Sequence, residues 1–127
     1  MQGQGELSAV KATLGALRTT LVIHHVQQRV AAVPSTVALA QRNPFELLQR
    51  RPLNYRGKMN REQAALAPAG SWVFDSDCVC VGYRPIHSQS FESPSGDPAA
   101  WFEVVGAPGP LQIMAKERYV WQGEVVR

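Results

Sequence analysis

A chain of 127 residues, 45% apolar and 18% charged, is long enough for one domain with a hydrophobic core and short for two. This composition excludes a disordered chain, no run reaches the roughly 18–20 apolar residues of a membrane span, and no secretory signal pattern opens it. The net charge of +3 hides an asymmetry. Residues 1–61 carry nine Lys or Arg against Glu6 and Glu46 (+7), and residues 62–127 carry four against eight acids (−4). Such halves can meet in self-association, the basic half can contact nucleic acid, or both can be solvated surfaces.

Leu7 to Val33 reads as one helix, ahead of the first proline at Pro34 and with Gly15 as its only internal glycine. The helix is placed at residues 5–33, a rod of roughly 40 Å. Glu6 in the first turn and Arg29 near the end suit the helix dipole. Two apolar runs lie along it. Leu7, Val10, Leu14, Leu17 and Leu21 alternate at spacings of three and four, like a coiled-coil seam. Val22, Val26, Val30 and Val33 form a second run, rotated by more than a quarter turn. Two runs on one rod call for two different packing partners.

Residues 34–70 form a connecting segment. Thr36 to Arg42 can make a helical turn. Asn43-Pro44-Phe45-Glu46 starts a short helix at 44–50, with Asn43 as cap and Glu46 completing a capping box. Arg50 and Arg51 then fall in its last turn, before Pro52. Leu53 to Gly70 reads as a loop in which Glu62 to Leu66 can be helical.

From Ser71 the apolar period changes to that of strands. Ser71–Asp75 and Val79–Arg84 pair as a hairpin across Asp75-Ser76-Asp77-Cys78. Pro85 to Pro98 is an exposed loop. Ala100–Val105 is a third strand, and Leu111–Met114 and Tyr119–Trp121 are a fourth and a fifth around a turn at residues 116–118. The whole, residues 1–127, is expected to be a single α+β domain: a long N-terminal helix packed on an antiparallel β-meander of four to five strands.

Few residues fall into patterns that carry chemistry. His24 and His25 point about 100° apart on a helix and cannot chelate one ion together. Lys11, Arg18, His25 and Arg29 fall in one angular band, which can line a phosphate backbone, meet a partner's acids or remain a solvated ridge. Asp75 and Asp77 have the spacing that opens a calcium loop, but the glycine and glutamate that complete one do not follow. His87 lies near Ser88 and Ser90 with no acid placed to orient it, and a small hydrolase centred there is a third reading. Trp72, Trp101 and Trp121 fall one per strand and read as core. Cys78 and Cys80 lack the second pair of a zinc site. Residues two apart on a strand lie about 7 Å apart, which favours two buried thiols over a local disulfide unless a turn falls between them. The residues thus point to no enzyme, no metal and no cofactor.

The order of these parts resembles the soluble part of type IV pilin-like proteins, and specifically the pseudopilins and minor pilins of type II secretion and related systems. Three blocks carry the likeness. They are Val10–Arg18 on the helix; Asn43–Leu48 with Pro52, Asn54, Tyr55 and Gly57; and Pro68–Gly70 with Trp72–Asp75 and Tyr83. The likeness spans about residues 5–84.

The family's prepilin leader and apolar N-terminal segment are not in this sequence, so the resemblance implies a soluble piece of a longer chain. It implies a structural subunit of a secretion pseudopilus or type IV pilus. Its partners would be other pilin or pseudopilin subunits, the assembly machinery, and the inner membrane through the preceding helix, with this domain in the periplasm or in a filament. On that reading Val22 to Val33 serve the domain's own core. The Leu7, Val10, Leu14, Leu17 and Leu21 seam is left for other subunits. The alternative is a pilin-like DNA-binding module using Lys11, Arg18, Arg29, Arg50, Arg51, Arg56, Lys58 and Arg61.

Overall fold

The computed structural model describes residues 4–31, 42–106 and 112–126. Helix α1 spans Gln4–Ala31, 28 residues. Its leucine seam faces inward: Leu7, Val10, Leu14, Leu17 and Leu21 are all buried. They pack with Phe45, Trp72, Phe74, Val81, Tyr83, Phe102, Ile113, Tyr119 and Trp121 into one core. Burying each such leucine or valine contributes roughly 1.5–3 kcal/mol, so this stripe binds the helix to the rest of the domain.

The expected assignment of the two runs is therefore reversed. The leucine seam is core and does not offer itself to a partner, while Val22 and Val26 of the second run are exposed. Seven-residue spacing with leucine at most positions gives a continuous inward stripe over four turns. Val22 lies 100° of helical rotation beyond Leu21 and falls off it. The expectations for Arg29, Val30 and Val33 fall outside the described side chains, and the turn expected at Thr36–Arg42 falls outside the described residues except at Arg42.

Helix α2, Pro44–Leu47, is a single turn rather than the expected 44–50. The Asn43 side chain accepts from Phe45 N, and Phe45 and Leu47 are buried. Leu48 is already extended. Gln49, Arg50 and Arg51 offer no apolar face to extend a helix that burial alone holds together. Arg50 and Arg51 are exposed beyond its end.

The main sheet has five strands in the order β1-β2-β3-β5-β6: Tyr55–Lys58, Trp72–Asp75, Cys80–Tyr83, Ala100–Val105 and Gln112–Ala115. The sheet is mixed, where an antiparallel meander is expected from the sequence. β1 lies in the stretch read as a loop and pairs parallel to β2, its connection made by helix α3, Arg61–Ala65. Asn60 caps α3 in a reciprocal capping box with Gln63, and the Arg84 guanidinium donates to the carbonyls of Ala65 and Ala67 at its far end. The other pairings are antiparallel and in the expected hairpin order.

Alternation gives the sheet two faces. Trp72, Phe74, Val81, Tyr83 and Phe102 belong to the core beneath α1. Val73, Cys80 and Trp101 form a smaller cluster with Ala64 of α3 on the opposite face. Gly82, registered between Val73 and Trp101, has no room for a side chain: a Cβ there would lie 2.5 Å from the Trp101 ring.

Tyr119–Trp121 does not extend the main sheet as a fifth strand. Val120–Trp121 is β7, between β4 (Phe91–Glu92) and β8 (Glu124–Val125), in a separate three-stranded sheet. The stretch read as a plain loop thus contains a strand, preceded by a 3-10 turn at Ser88–Ser90. Gln122 and Gly123, both at positive φ (50° and 78°), form the two-residue turn that joins β7 to β8 with the right twist. A chain of touching rings, Phe45–Trp72–Tyr83–Trp121–Phe91, binds the small sheet to the large one.

Candidate assembly surface

Two devices fix how α1 lies on the domain. At its start, the Glu6 carboxylate accepts from Tyr83 Oη (2.6 Å), Ile86 N (2.6 Å) and His87 N (3.0 Å). A first-turn acid favoured by the helix dipole thereby ties the segment after β3 to the helix. Burial, and then the hydrogen bond to Glu6, push the Tyr83 hydroxyl well above the ordinary tyrosine range. The Tyr119 hydroxyl, which accepts from Trp101 N at 2.9 Å, is pushed up to about 12, chiefly by burial.

The second device runs along the flank of α1. Lys11 forms an ion pair with Glu124 of β8. Arg18 donates through Nε and Nη2 to the Ile113 carbonyl, at 3.3 and 2.9 Å. β6 is an edge strand, and its outward carbonyl at Ile113 is therefore capped by the helix, which blunts the edge against stray pairing. Two of the four residues read as a basic band are thus engaged within the domain. His25 is half-buried, and Arg50 and Arg51 are exposed on a different element.

Beyond these ties α1 carries apolar side chains left about half uncovered by the described residues: Val22, Ile23 and Val26 are 48%, 49% and 51% exposed. Val22 and Val26 are one turn apart and share a face. Val22 also lines a groove of about 870 Å³ with Arg18, Ile113, Met114, Val125 and Val126, and Met114 is half exposed there. Three large apolar side chains within five residues, beside an apolar groove, make a surface with the chemistry of a helix-packing contact. The periodicity marks Val22 and Val26 as a separate run, whereas Ile23 and Met114 carry no periodic signal and are visible only in three dimensions.

No group of three or more His, Cys, Asp or Glu side chains converges among the described residues. No helix there is long and apolar enough to cross a membrane. The Asp75 side chain accepts from Asp77 N at 2.9 Å and shapes the hairpin turn.

Cys78 and Cys80 are joined by a disulfide, where strand geometry favoured two thiols. The reason is local. Val79 is left-handed (φ 56°), so a turn separates the cysteines and brings their Cα atoms to 5.3 Å, inside the range that a bridge spans.

No family model matches this chain, and neither a curated protein nor a solved structure does.

Proposed function

We propose that the chain is the globular domain of a structural subunit of a pilin-like filament, a minor pseudopilin or related protein of a type II secretion pseudopilus or type IV pilus. The observation that carries this reading is the division of labour on α1: the leucine seam holds the domain together, and Val22, Ile23 and Val26 remain for another protein. The α+β architecture, a long helix leading a sheet, agrees with the resemblance in sequence and order of parts.

On this reading the subunit acts by packing and performs no chemistry. An apolar helical segment upstream would anchor it in the inner membrane before assembly and lie in the filament core afterwards. The globular domain would face the periplasm. The Lys11–Glu124 and Arg18–Ile113 ties hold α1 at a fixed angle to the sheet, so a helix contact made at Val22 and Val26 also positions the domain.

The test is complementation. In the source cell, the gene carrying Val22→Asp with Val26→Asp should lose secretion or piliation. The isolated domain with the same changes should keep its melting temperature within a few degrees, because exposed sites contribute within about 0.5 kcal/mol each. Normal secretion and piliation after deletion of the gene would remove the proposal. Salt-sensitive binding of duplex DNA by the domain would favour the nucleic-acid reading instead.

A further inference from the structure

The Cys78–Cys80 bridge closes the tip of the β2–β3 hairpin, on the sheet face away from α1. It has little to contribute as a staple. A disulfide stabilises through the loop that it closes, and the gain is smallest for short loops; here the separation is two residues. The hairpin is already registered through four residue pairs, Trp72–Tyr83 to Asp75–Cys80, and its turn is shaped by the Asp75–Asp77 bond. The turn that the bridge spans carries a cost. Val79, a β-branched residue in the left-handed region at φ 56°, stores backbone strain of the kind kept where something over-determines the turn.

The two sulfurs differ. Cys80 is fully buried, packed with Val73, Ala64 and Trp101. Cys78 is partly exposed and opens on a cleft of about 230 Å³ lined also by Arg61, Asp75, Trp101 and Lys116. Arg61 is paired with Asp97 at 2.8 Å. Lys116, in the bend that follows β6, lines the same cleft. Cations beside a sulfur favour its thiolate and draw an incoming one.

We propose that Cys78–Cys80 is an exchangeable disulfide, opened by a dithiol reductant that attacks through Cys78. The reductant's thiolate attacks Sγ of Cys78. A new S–S bond forms as the Cys78–Cys80 bond breaks, and the electron pair leaves on Cys80 Sγ, which takes up a proton. The second thiolate of the reductant then attacks its own sulfur in the mixed disulfide. Cys78 leaves as a thiolate into the cleft that Lys116 also lines, and is protonated. The chain has gained two electrons and two protons, and the dithiol has become a disulfide. Val79 is then released to leave the left-handed region, and because the hairpin register does not depend on the bridge, the fold persists. Strained or exposed disulfides are the labile ones.

The experiment equilibrates the whole chain with defined ratios of reduced to oxidised dithiothreitol and of reduced to oxidised glutathione. Acid quench, alkylation and mass measurement then count free thiols, beside circular dichroism and a thermal melt. The expected result is two alkylated cysteines in a folded chain at glutathione ratios that leave structural disulfides closed. Val79→Asn, which tolerates the left-handed region, should shift the equilibrium toward the disulfide by about tenfold. In Cys80→Ser, Cys78 should form a mixed disulfide with glutathione in the folded state, and in Cys78→Ser, Cys80 should stay unmodified until the chain unfolds. Reduction only together with unfolding, no shift in Val79→Asn, or equal reactivity of the two single-cysteine variants would each overturn the proposal.

Discussion

Gly82 is where a single atom decides the packing of one face of the sheet. A Cβ would meet three ring atoms of Trp101 within 2.8 Å, and a ring packed with Ala64, Val73 and Cys80 has no easy path aside. Gly82→Ala is therefore expected to destabilise by about 1–3 kcal/mol, as overpacking does, read in a urea melt. Glu6 acts through three hydrogen bonds to one carboxylate. Glu6→Ala should cost about 1.5–3 kcal/mol, and hydrogen exchange should show the loss at Ile86 and His87 before the sheet. The tyrosines add a pH dependence at the alkaline end. With folded values raised, to about 12 for Tyr119 against 10.0 unfolded and well above the ordinary range for Tyr83, both keep their protons in the fold after the unfolded chain has lost them. Their stabilising contribution is intact below pH 10 and is lost as pH rises toward 12. Melting temperature should fall across that window, with tyrosinate absorbance appearing together with unfolding.

Elements with their own periodicity were readable from sequence, and elements defined by their neighbours were not. The long helix, the β2–β3 hairpin, β5, β6 and the capped turn at Asn43 carry patterns that survive without context. Tyr55-Arg56-Gly57-Lys58 has no apolar alternation, and its half-buried, exposed pattern marks an edge strand held by main-chain pairing to β2. β4, β7 and β8 are two residues each, too short for a period to register; the Gln122-Gly123 turn was their one available signal. Which face of α1 turns inward could have been read from side-chain size, because leucines fill a core more fully than the valines of the second run. Leu14 is fully buried in the seam, so Leu14→Ala should cost about 2–5 kcal/mol in a denaturant melt, whereas Val26→Ala should stay within about 0.5 kcal/mol.

At the scale of the molecule, the basic and acidic halves are partly reconciled within the chain. Lys11 meets Glu124 and Arg61 meets Asp97, each a cation of the first half with an acid of the second. This internal matching lowers the charge left for a phosphate backbone and leaves Val22, Ile23 and Val26 of α1 as the half-exposed apolar residues that the proposed assembly role uses. The proposed role turns on one claim, that Val22 and Val26 touch another subunit when the protein is at work. The direct measurement is in-cell photo-crosslinking, with a photoreactive amino acid placed in turn at Val22, Val26, Leu14 and Ser76 of the full-length protein. Adducts to a second copy or another helix-led subunit are expected from Val22 and Val26, and none from buried Leu14 or from Ser76 at the hairpin tip. Adducts absent at Val22 and Val26, or no stronger there than at Ser76, would contradict it.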